Sequence, residues 1–110
     1  MKISQKDSYI FIDSTENSFL EFFEAYISKN INYKESHVVI QLSENLNTTL
    51  EDLSLFLSVA TNHKSHGTSF VVICKEIDID EVPDEINVVP TLLEAEDVLE
   101  MEAIERDLGF

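Results

Sequence analysis

Two apolar runs, HVVIQL (residues 37–42) and SFVVIC (residues 69–74), set the terms on which this chain folds. Neither alternates apolar and polar side chains, as a strand with one wet face does. A β-branched run without alternation reads as a strand covered on both faces, and such strands belong to parallel sheets flanked by helices. The segment between them, from Ser43 to Thr68, holds a helix and a turn. Strand, helix and second buried strand make a crossover unit, which is right-handed in nearly all sheets.

The remaining segments extend this unit. KISQ and SYIFID, separated by the turn KDS, read as a β-hairpin. Ser18 followed by Glu21 has capping-box spacing and opens a helix. Phe19, Phe22, Phe23, Tyr26 and Ile27 recur at helical spacing, the face that packs on a sheet. A second helix is expected from about Thr49 to His63, with Leu50, Leu53, Phe56, Leu57 and Ala60 as its buried stripe and Gly67 in the turn after it. IDIDEVPDE is acidic and broken by Pro83, so it is expected to be a loop. INVVP gives a last strand, and Thr91 with Glu94 caps a final helix reaching about Asp107. The expected order is β-β-α-β-α-β-β-α, an α/β fold with a mixed sheet and helices packed on it, in a single domain over residues 1–110.

Charge narrows the partners. Twenty-two acidic residues face seven basic ones, for a net charge of −15. Between Glu76 and Asp107 thirteen acids stand against Arg106 alone. Such a surface repels phosphates, so neither nucleic acid nor an anionic membrane is an expected partner. The first residues, MKISQKDSYIFID, lack the apolar core of a signal peptide, and no apolar run approaches the roughly 20 residues that cross a bilayer. The single Cys74, inside an apolar run, fits a reducing, cytoplasmic setting.

Chemistry-bearing residues are sparse. His63 and His66 share a helix end, but a catalytic zinc needs three protein ligands and Cys74 lies in a buried strand. Asp78, Asp80 and Glu81 lack calcium-loop spacing, which Pro83 interrupts. Thr48 with Glu51 has cap spacing, and LNTTLED lacks the glycines and lysine of a phosphate cradle. No catalytic residue, metal or cofactor is expected.

The ββαβα order, the strand VVIQL, the helix opening about seven residues later, and Gly67 followed by SFVVI resemble a STAS domain, the fold of bacterial anti-sigma-factor antagonists. The resemblance runs from about Lys2 to Leu108 and implies a regulatory, protein-binding role. In that family the segment entering this helix carries Asp-Ser-Ser-Gly-Leu, whose first serine is phosphorylated by an anti-sigma kinase. Leu53 falls on that leucine, so Leu50 and Glu51 stand where the family has its serine pair. The nearby hydroxyls of Thr48 and Thr49 are then the alternative phosphoacceptors of a switch. The chain also has IDIDEVPDE where the family has a helix before its last strand. A narrower resemblance lies in VPTLLEAEDVLEMEAIERDLGF, which is similar to the tail of a small family from Bacteroidetes bacteria sometimes labelled ribonuclease Z. That label implies a dinuclear zinc cluster of the type His-x-His-x-Asp-His, which His37, His63 and His66 do not form. What the likeness implies is at most an accessory protein associated with ribonuclease Z, itself no nuclease.

The last helix carries the sharpest signal. Leu92, Ala95, Val98, Leu99 and Ala103 share one side, while Leu93, Met101, Ile104 and Leu108 lie roughly opposite. A helix on a sheet needs one apolar stripe. The second stripe is covered either by the chain folding back on itself or by another chain. Leu55 and Val59, off the main stripe of the second helix, are a weaker version of the same feature. The expectation is a non-catalytic interaction module that uses Leu55, Val59, Met101, Ile104, Leu108 and Phe110 and meets an identical subunit or a basic regulatory protein.

Overall fold

The computed structural model describes residues 1–29 and 35–109. These residues form strands β1 (Lys2–Gln5), β2 (Ile10–Asp13), β3 (Val38–Gln41), β4 (Phe70–Ile73) and β5 (Asn87–Val89). Helices α1 (Phe19–Lys29), α2 (Leu50–Ser54), α3 (Leu57–Ser65) and α4 (Leu92–Asp107) pack on them. The five strands lie in chain order in one sheet. β1 and β2 form the antiparallel hairpin, and β2, β3, β4 and β5 run parallel to one another. The α/β class and the mixed sheet are those expected from the apolar runs.

Both faces of the central strands are dry. Val38 opposite Phe70 and Ile40 opposite Val72 look one way, while Val39 opposite Val71 looks the other. On the first face α1, α2 and α3 lay Phe19, Phe22, Tyr26, Leu53 and Phe56 over Ile12, Val38, Ile40 and Val72. Phe56 is the hub, with the rings of Phe19, Phe23, Tyr26 and Phe70 centred 5.4 to 6.3 Å from its own. Aromatic pairs in edge-on and tilted geometry add to the burial of their area. Among the described residues the second face is covered by α4, through Ala95, Leu99 and the half-buried Val98 against Tyr9, Val39, Val71 and Ile73.

The acidic segment between β4 and β5 serves as a crossover without a helix. Val82 and Ile86 are buried and Ile77 is partly so, all in the core beneath α1 to α3. A 3₁₀ turn at Ile79–Glu81 is capped by Asp78, whose carboxylate accepts from the Asp80 amide at 3.0 Å. The carboxylates around these apolar positions hide how firmly the loop is pinned.

The second helix departs from expectation. It is two helices, because the amides of Leu55 and Phe56 bond to the carbonyls of Asp52 and Leu53 at 3.1 and 2.9 Å, a three-residue step. The tighter step re-phases the residues of α3. Val59, expected to face outward as an interaction residue, turns into the core at 1% exposure, so that expectation is corrected. The cap also shifts by one residue. The Thr49 hydroxyl accepts from the Asp52 amide at 3.1 Å and the Asp52 carboxylate accepts from the Thr49 amide at 3.0 Å, in place of a Thr48–Glu51 pair. Ser18 and Thr91 cap as their spacing predicts, each accepting an amide hydrogen bond at 3.2 Å. Gly67 takes φ +72° where the chain leaves α3, a region open to glycine at no steric cost.

Phe56→Ala is expected to cost about 3–5 kcal/mol of stability, the usual range for emptying a buried aromatic site. Leu55→Ala, one residue away but exposed, is expected to stay within about 0.5 kcal/mol of the parent. Urea unfolding of the two variants beside the parent checks both.

Candidate interaction surface

α4 holds the sheet by two kinds of contact. Its first half uses apolar burial at Ala95 and Leu99. Its second half turns half-buried polar side chains inward, Glu102 and Arg106. The Asn87 amide donates to the Glu102 carboxylate at 2.9 Å, and the Arg106 guanidinium donates to the Ser69 hydroxyl at 3.2 Å. A third tie is made by Tyr9, whose hydroxyl donates to the Glu96 carboxylate at 2.8 Å. Burial, and then the hydrogen bond and charge of Glu96, push the Tyr9 phenol up to about 12, so it remains a donor at any working pH. The inward set is narrower than the sequence suggests: Leu92 and Ala103 stay exposed.

The opposite side of α4 carries the second stripe in the open. Leu93, Met101, Ile104 and Leu108 are 70%, 60%, 54% and 65% exposed. The fold-back alternative therefore does not cover them among the described residues. Phe110, the last expected anchor, lies outside the described residues. Leu55 is exposed as expected, but it belongs to the helices on the other face of the sheet. With Val59 buried and Leu55 across the sheet, the second helix cannot extend the α4 surface, which corrects that part of the expectation.

The two threonines have different environments. Thr49 is exposed and its hydroxyl serves as the cap acceptor. Thr48 is buried and its hydroxyl makes no hydrogen bond among the described residues. A kinase reaches Thr48 only after local opening.

All three histidines gather at the edge where β3 and β4 begin. His63 lies in the last turn of α3 as expected, but it is buried, with its ring stacked on Phe70 at 5.2 Å and its Nδ1 sharing a hydrogen bond with the Thr68 hydroxyl at 2.8 Å. Burial, then the neighbouring His66 and His37, hold its imidazole down at about 4, opposed only by the Ser36 main chain. His37 is held below its ordinary value by burial and then Arg106, against the pull of Glu102, and its Nδ1 accepts from the Ser69 amide at 2.9 Å. Among the described residues no group of three or more His, Cys, Asp or Glu is placed to hold a metal ion.

Clefts also mark the surface. One of about 450 Å³ lies at the carboxyl ends of β2, β3 and β4 and is lined in part by Ser14, Ser43 and Lys75. Parallel sheets bind ligands at that edge where strand order reverses, and here strand order follows the chain throughout. The buried Ser14 hydroxyl there is already engaged, accepting from the Ser43 amide at 2.8 Å. Another cleft, of about 640 Å³, lies between α3 and α4 and mixes Lys64 and Arg106 with Asp84, Glu85 and Glu105. No protein-family model and no curated protein matches this chain. Among the described residues no helix is long and apolar enough to cross a membrane.

The depressed imidazole gives a testable pH dependence. Below the ordinary 6.5 an unfolded His63 takes up a proton that the folded one refuses until about 4, so stability is complete above that window and falls as pH drops through it. Between neutral pH and about pH 4.5 the loss from this residue is about 2 kcal/mol. His63→Phe keeps the stack on Phe70 and removes the titration. Urea unfolding at both pH values is expected to show that much less acid destabilisation in the variant.

Proposed function

We propose that this chain is a non-catalytic protein-interaction module, built on a STAS-like fold, that docks through the outer face of α4. The observation that carries the reading is the exposed row Leu93, Met101, Ile104 and Leu108 on the side of the helix opposite Ala95 and Leu99. Leaving four large apolar side chains in water on one helix face is unfavourable. Covering each contributes about 1.5–3 kcal/mol on full burial, and such rows lie against grooves or helices of partner proteins.

The STAS-like assignment is supported by the opening hairpin, the parallel strands in chain order and the helical crossover between β3 and β4. The phosphoserine switch of that family gains no support, since Leu50 and Glu51 occupy its serine positions, Thr49 is engaged as a cap and Thr48 is buried. An accessory role beside ribonuclease Z, implied by the likeness of the tail, would use the same helix, because that tail contains α4. The buried, unpaired thiol of Cys74 supports a cytoplasmic setting.

A photo-crosslinking residue placed at Ile104 is expected to give one defined adduct in cells, and the same residue at Leu55 none. Adducts of equal yield and pattern at the two positions would remove the surface from consideration. The triple variant Met101→Gln/Ile104→Gln/Leu108→Gln is expected to stay within about 0.5 kcal/mol of the parent, since glutamine is a good helix former and the sites are exposed, yet to lose the partner captured by Ile104. Urea unfolding separates a lost surface from a lost fold.

A further inference from the structure

We infer that the partner presents a cationic amphipathic helix, with apolar side chains three and four residues apart and Lys or Arg along both flanks. This rests on the docking reading above and names its occupant.

With about 100° of turn per residue, Leu93, Met101, Ile104 and Leu108 fall within an arc of about 80° on α4. Met101, Ile104 and Leu108 step by three and then four residues, the spacing with which one helix seats side chains between those of another. At about 1.5 Å per residue the row from Leu93 to Leu108 runs about 22 Å, the length of a four-turn helix.

Charge then selects the occupant. Glu94 and Glu105 border one edge of the row, and Glu100 and Asp107 border the other, all exposed. Asp97 interrupts the row itself between Leu93 and Met101. The single base of α4, Arg106, is turned away to the Ser69 hydroxyl. The outer face of the helix therefore offers apolar contact and carboxylates and no cation. A second copy crossing α4 on α4 would set these carboxylates against their equivalents with nothing between them. A helix flanked by Lys or Arg meets both edges with opposite charge, and a cation opposite Asp97 fixes its register, since a charge inside an apolar seam needs a partner.

The probe is a synthetic four-turn helix with a leucine row flanked by lysines. One control keeps the leucine row with glutamate flanks, and the other is a lysine peptide of the same composition in scrambled order. Titration calorimetry against the full chain, in low salt and in about 0.3 M salt, is expected to show the lysine-flanked helix binding at least about tenfold tighter than either control and weakening as screening increases. Glu100→Lys/Glu105→Lys, which leaves three of the five acids of this face, should narrow the preference for lysine over glutamate flanks. Met101→Gln/Ile104→Gln/Leu108→Gln should abolish binding of both ordered peptides. Equal affinity for the two flank types, or no binding by any peptide, overturns the partner assignment. A concentration-dependent dimer that the triple variant abolishes also overturns it, in favour of a second copy, while leaving the docking surface standing. If the scrambled peptide binds as well as the ordered one and the triple variant leaves both unchanged, the docking surface falls with it.

Discussion

The structure depends on a sheet whose central strands are apolar on both sides. β3 and β4 have no polar face to give to water, so both faces must be roofed. The connections through α1 and through α2 and α3, together with the helix-free crossover into β5, bring their apolar side chains to one face. That leaves Tyr9, Val39, Val71 and Ile73 on the other, and α4 is what remains to cover them. Among the described residues this helix has neighbours beneath it and none above. The exposed position of Leu93, Met101, Ile104 and Leu108 results from that arrangement.

The attachment of α4 explains why its outer face keeps so uniform a character. Its inner side is too small and too polar to hold by burial alone, since Ala95 offers little area and Glu102 and Arg106 continue the inward row. Hydrogen bonds from Tyr9 and Asn87 and to Ser69 take over along its length. These ties engage Arg106 and two of the acids and leave the others facing outward. Among the described residues the ion pair found joins the Met1 amino group to Glu16, and no carboxylate of α4 takes part in one, so its acids repel one another. Opposite charge on a bound molecule would lessen that self-repulsion, coupling partner binding to the stability of the helix.

The sequence was informative wherever local rules govern. The caps at Ser18 and Thr91, the turn at Gly67, the hairpin and the buried strands need only neighbouring residues to specify them. It misled where a small local change has distant consequences. Nothing in LEDLSLFLSVA announces the three-residue step at Leu55 and Phe56, yet that step moves Val59 from outside to inside. Val82 and Ile86 are screened in the sequence by the acids around them. The polar neighbours of His63 suggest an exposed ring, when Phe70, from the next strand, supplies the surface on which that ring is buried.

The two stripes of the last helix can be counted from the sequence by itself, because helical periodicity is a property of the chain. Its acidic rims and its single base are equally plain there, as is the need of the central strands for cover on both faces. Which stripe is covered, and that Leu55 lies on the other side of the sheet from Met101, was decided only by tertiary structure. Periodicity fixes the angle between residues on one helix but carries no information about the sheet face to which a helix is delivered. That is set by how the connections wind and by which apolar surface the other helices leave uncovered.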